Sequence, residues 1–126
     1  MKTRGEIEAA ISEGIIRYEQ EYMGRGPKNI HTHLIGNHLV IILEGVLTSA
    51  ERHLVRSLSP GQGRALVKQV QRELLETGRP ILEEMVRSVC GVKVLSMHHD
   101  ISTVSGEKIV LFTLAKEPDV RETRQQ

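Results

Sequence analysis

The chain has 126 residues, 39% of them apolar and 26% charged, with a formal net charge of +1. That is enough for one domain with a packed core, and too apolar for wholesale disorder. Near-neutral charge and a ring inventory of Tyr18, Tyr22 and Phe112 argue against a nucleic-acid surface, which needs a basic field or exposed aromatics.

Thr3 and Glu6 have the Thr-x-x-Glu spacing of a capping box, so a helix starts there. Ile7, Ile11, Ile15, Tyr18 and Tyr22 follow at three- and four-residue spacing, an apolar stripe over about five turns. Glu6, Glu8, Glu13, Arg17, Glu19 and Glu21 fall mostly off that stripe. Gly24 and Pro27 stop the helix near Met23. Gly24, Arg25 and Gly26 make a tight loop whose backbone N–H groups and guanidinium suit a small anion. The plainer reading is a connection, because phosphate loops open into helices and this one opens into a strand.

Residues 30–35 read as a strand with Ile30, Thr32 and Leu34 on one face and His31, His33 and Ile35 on the other. Gly36-Asn37 is a hairpin turn. The return strand, 39–46, begins with the continuous apolar run Leu39–Leu43 and is expected to be buried on both faces. Thr48 and Glu51 repeat the capping-box spacing and start a short helix carrying Leu54, Val55 and Leu58, which Ser59-Pro60-Gly61 ends. A long helical pattern follows through Leu66, Val70, Leu74, Ile81, Leu82, Met85, Val86 and Val89. Gly78 and Pro80 kink it or split it in two.

A second hairpin spans Val92 to Leu114. Val92, Val94, Ser96 and His98 are placed on one face, with Leu95, Met97, His99 and Ile101 on the other. Ser105-Gly106 makes the turn. The order predicts an α+β two-layer sandwich, αββ–ααββ, with a four-stranded, mainly antiparallel sheet and helices on one face. Residues 1–115 form the domain and 116–126 a flexible tail. Apolar helix and strand faces favour a homodimer.

Candidate chemistry is sparse. His31 and His33 share a strand face, and His98, His99 and Asp100 add metal-ligand types from another strand. If the hairpins pair directly, His33 and His99 approach each other. Edge histidines without metal are the plainer reading. Cys90, at a helix C-terminus among apolar neighbours, reads as a core thiol. Arg64, Lys68, Arg72 and Arg79 line one side of the long helical stretch, either an anion surface or a solvated face mixed with Glu73 and Glu76. No P-loop, dinucleotide fingerprint or nucleophile elbow occurs, so no enzyme and no cofactor is expected. The lone cysteine suits a reducing cytoplasm. No apolar run long enough for a bilayer span and no signal peptide are present.

GRGP at 24–27, LEGVLTSAE at 43–51 and GVKVLSMHHDISTVSGEKIVLFTL at 91–114 together resemble the MpsC-like family of small bacterial proteins. The resemblance runs from the first helix to Leu114. It implies a soluble accessory component of a Na+-translocating, membrane-potential-generating system whose other subunits are membrane proteins linked to inorganic-carbon uptake. It carries no catalytic residues onto this chain. Two functions follow as expectations. One is a non-catalytic accessory or regulatory module, cytoplasmic and held at the membrane only through a membrane-protein partner. The other is a small-anion or small-ligand domain using Gly24, Arg25, Gly26 and Asp100. A metal-dependent enzyme built on His31, His33, His98 and His99 ranks behind both.

Overall fold

Thr3 opens the first helix, α1 (Arg4–Tyr22), with a complete capping box: Glu6 N donates to Thr3 Oγ1 at 3.1 Å, and Thr3 N donates to Glu6 Oε1 at 2.9 Å. The structure is a computed structural model that describes residues 1–57, 59 and 61–122. α1 buries Ile7, Ile11, Ile15 and Tyr18, as its stripe predicts, and ends at Met23 before Gly24 turns the chain at φ 86°. Tyr22, expected on the same stripe, is exposed, while Glu19, expected off it, is buried.

The strands are β1 (Asn29–Ile35), β2 (His38–Glu44), β3 (Val94–Ile101) and β4 (Lys108–Leu114), in the order β1-β2-β4-β3 with every neighbour antiparallel. Gly36, at φ 60°, makes the two-residue turn of the first hairpin. The hairpins join through β2 and β4, so β1 and β3 lie at opposite edges. α1 blunts the β1 edge: Glu8 Oε2 accepts Leu34 N at 2.8 Å, and the Arg4 guanidinium donates to the Leu34 carbonyl.

Alternation places Leu34, Leu39, Ile41, Leu43, Val110, Phe112 and Leu114 in the core. Val40, Ile42, Ile109 and Leu111 point to the other face and are half-buried. β2 is therefore buried on one face, not two. A continuous aliphatic run marks a central strand here, but its outer side stays half-exposed among the described residues. β3 also departs from the sequence reading. A register shift between Val94 and Ser96 leaves Leu95 exposed and turns Val94 into the core beside Met97 and Ile101. The extra residue resets the two-residue period, so one face assignment could not hold along the whole strand.

Among the described residues three helices separate the hairpins, giving αββ–αααββ: α2 (Ser49–Ser57), α3 (Gln62–Thr77) and α4 (Arg79–Cys90). Leu58 and Pro60, expected at the end of the short helix, lie outside the described residues. Thr48 and Glu51 cap α2 reciprocally at 2.9 and 3.1 Å. Gly78 separates α3 from α4, with Pro80 in the first turn of α4, and Gly91 ends α4 at φ 73°. The buried line of α3 is Gly63, Val67, Gln71 and Leu75, whereas Leu66 and Val70, read as its core stripe, are exposed. Residues 116–122, expected within a flexible tail, run back past the start of α1. Pro118 is buried, and Arg121 N donates to Lys2 O at 2.8 Å.

Candidate functional site

β4 begins with a lysine in phase with Val110, Phe112 and Leu114, so its side chain enters the core. Lys108 is 1% exposed. An isolated ammonium there would be very costly, and two helices supply its partners. Its Nζ donates to Glu19 Oε2 from the last turn of α1 at 3.0 Å and to Gln71 Oε1 from the middle of α3 at 3.0 Å. Gln71 Nε2 in turn donates to Glu51 Oε2 at 2.9 Å, while the other Glu51 oxygen accepts from Thr48 N. Glu19, Lys108, Gln71, Glu51 and Thr48 thus form one polar chain tying α1, β4, α3 and the start of α2. Burial raises the Glu19 carboxyl above its ordinary range, and the Lys108 ammonium pulls it back only in part. Among the described residues no buried side-chain polar atom lacks a partner. A cleft of about 280 Å³ runs in from the surface past Lys68, Arg72, His99 and Asp100 to Gln71 and Lys108.

Sequence reasoning missed this chain because its contacts are distant in sequence. The phase was nevertheless written in it. Ile11, Ile15 and Glu19 fall four apart, as do Val67, Gln71 and Leu75, and Lys108 stands two before Val110.

The expected site residues are not brought together. Gly24 turns the chain, Gly26 packs near Gln20, and Arg25 Nη2 donates to Gly45 O at 3.0 Å, at the end of β2. Asp100 sits on β3, where its carboxylate accepts from Lys68 Nζ at 3.0 Å and from Ile101 N at 2.8 Å. The Lys68 hydrogen bond, then that of the Ile101 N–H, holds the Asp100 carboxyl below its ordinary range. Asp100 lines two clefts, and Arg25 lines neither of them.

The histidines separate for a topological reason. His33, Val40, Leu111 and His98 form one row across the sheet, so His33 and His98 stand three strand spacings apart, about 14 Å. His31 faces Glu44 at 3.4 Å on the outer side. His99 points to the helix side and meets Glu76 at 2.8 Å. Among the described residues no three His, Cys, Asp or Glu side chains could hold one metal ion. Arg79 is held by Glu76 and Glu83, and Lys68 by Asp100, which breaks up the cationic side expected along α3 and α4. Cys90 is buried, and burial pushes its thiol up to about 11, the wrong direction for a nucleophile.

Residues 3–116 match the sequence model of the family described as "Na+-translocating membrane potential-generating system (MpsC)". The chain belongs to the MpsC family. The uncharacterized protein YbcI of Bacillus subtilis (strain 168) is 34% identical over 116 residues, which cover 92% of this chain and 91% of that relative. No solved structure matches. The MpsC match takes in all eight elements and every member of the buried polar chain. Among the described residues, no helix of this MpsC chain is long and apolar enough to cross a membrane.

Proposed function

We propose that this chain is a soluble, non-catalytic accessory or regulatory module of a membrane cation or inorganic-carbon transport system, working in the cytoplasm by docking. The family description, of a Na+-translocating membrane potential-generating system, supports the cation system. The observation that carries docking is the uncovered outer face of the sheet. Val40 and Ile42 of β2 lie directly beside Leu111 and Ile109 of β4, a half-exposed aliphatic stripe in the middle of the sheet. Exposed His31 and His33 on one edge and His98 on the other frame it. The buried polar groups favour a structural role: Lys108 and Glu19 hold each other, and the Cys90 thiol is held neutral.

The test is a tagged chain purified from detergent-solubilised cells, beside Leu111→Glu. The native chain is expected to carry an integral membrane protein with it and the variant to lose it. Sedimentation of the native chain alone reads the homodimer, with a dimer expected. Capture that Leu111→Glu leaves unchanged, or a native monomer recovered without a membrane protein, would overturn the reading.

A further inference from the structure

α2 carries Arg52 and Arg56 one turn apart, and α3 carries Arg64 in its first turn. All three line one open cleft of about 610 Å³ between these helices and the β3–β4 connection. Thr103, Val104 and Ser105 line the opposite side, and among the described residues no carboxylate lines the cleft. Among the described residues none of the three arginines forms an ion pair. This contrasts with Arg4, Arg79, Arg87 and Arg121, each of which meets a glutamate. Two clefts meet at Arg64, Thr103 and Val104, and the adjoining one, of about 410 Å³, holds Asp100, which is already bonded to Lys68, as well as Glu107. Glu51 is bonded to Thr48 and Gln71. Like charges at four-residue spacing repel on a helix, so Arg52 and Arg56 together favour an anion from outside.

We propose that Arg52, Arg56 and Arg64 bind a multiply charged phosphate group, the charged end of a phosphorylated small molecule or of an anionic lipid. Guanidinium forks match phosphate oxygens two at a time, and three of them answer more than one negative charge. The hydroxyls of Thr103 and Ser105 add neutral hydrogen-bonding groups. Ser105 Oγ already accepts from Glu107 N at 3.2 Å, which leaves its hydrogen to donate. Val104, 95% exposed at the lip, offers apolar contact to whatever carries the phosphate. The near-neutral chain and its scarcity of rings speak against an extended nucleic acid as the source of that phosphate.

The site is independent of the docking face and can be tested on the isolated chain. Titration calorimetry with pyrophosphate and with inorganic phosphate is compared with cosedimentation on vesicles of phosphatidic acid in phosphatidylcholine and of phosphatidylcholine alone. Pyrophosphate is expected to bind more tightly than phosphate, and added salt to weaken both. Arg56→Gln with Arg64→Gln, both exposed positions, is expected to weaken binding about tenfold or more with an unchanged melt. Lys93→Gln, outside the cleft, is expected to leave binding intact. Pyrophosphate binding without vesicle binding identifies a free phosphorylated molecule. Vesicle binding that pyrophosphate displaces identifies a lipid headgroup. No binding in either arm, vesicle binding that pyrophosphate fails to displace, or a double variant that binds like the native chain would overturn the proposal.

Discussion

Helices α1 and α3 each show an apolar stripe and each send one polar side chain to Lys108, yet the stripe of α1 marks its buried face as far as Tyr18, whereas that of α3 does not mark its own. α1 packs against β1 and α4 and buries Ile7, Ile11 and Ile15, and those side chains set its rotation about its own axis. α3 leaves Leu66 and Val70 in solvent and turns Gly63 and Gln71 inward. Two contacts fix that choice. At Gly63 an added Cβ would run into the Leu54 carbonyl of α2, so the helices cross at backbone distance. At Gln71 one amide bridges Lys108 and Glu51. A helix squeezed between a neighbour's backbone and a buried charge follows those two constraints over its own hydrophobic pattern.

The charge that both helices share is where a substitution weighs most. Glu19→Ala leaves the Lys108 ammonium unpaired in the core and is expected to cost about 3–5 kcal/mol in urea unfolding at neutral pH. Glu19→Leu combined with Lys108→Met is expected to cost far less than the sum of Glu19→Leu and Lys108→Met alone, a non-additivity a double-mutant cycle reads directly. A cycle that adds simply would mean that the pair does not fix α1 against the sheet.

The same pair has a pH signature. The folded value of Glu19 lies above its ordinary 4.5, so the folded chain holds this proton more tightly than the unfolded one. Its contribution to stability is complete below the ordinary value and is lost as pH rises through the raised one. Lys108→Met removes the ammonium that pulls Glu19 down. Stability of that variant should therefore fall more steeply than the native chain's as pH rises from acid towards neutral. Urea midpoints measured across that range decide it, and parallel curves would refute it.

Ile11→Ala is expected to cost about 2–5 kcal/mol, the range for emptying a core site on α1. Gly63→Val should cost about 1–3 kcal/mol through forced separation of α2 and α3, whereas Leu66→Ala and Val70→Ala should stay within about 0.5 kcal/mol. Equal losses at Ile11 and Leu66 would erase the distinction between the two helices. Between these extremes, Thr48→Ala is expected to cost about 1 kcal/mol as α2 loses its cap.

Features legible in the sequence are those whose partners lie a few positions away. The Thr3 and Thr48 capping boxes, the turn at Gly36, the break at Gly78 and the stop at Gly91 each need one or two neighbouring residues. The buried polar chain needs Lys108 to meet residues 37 and 89 positions earlier, and spacing alone does not say which polar side chain will answer a buried one. The phase of β3 was hidden by a single inserted residue near Leu95. The histidine groups were legible as faces, but their separation depended on which two strands join the hairpins.

Arg121 has a further consequence. Its backbone N–H meets the Lys2 carbonyl, and its guanidinium reaches Met1 O and Glu6. Positions 2 and 121 are thus hydrogen-bonded neighbours, so the segment after β4 latches the start of α1, and local opening of the one is coupled to fraying of the other.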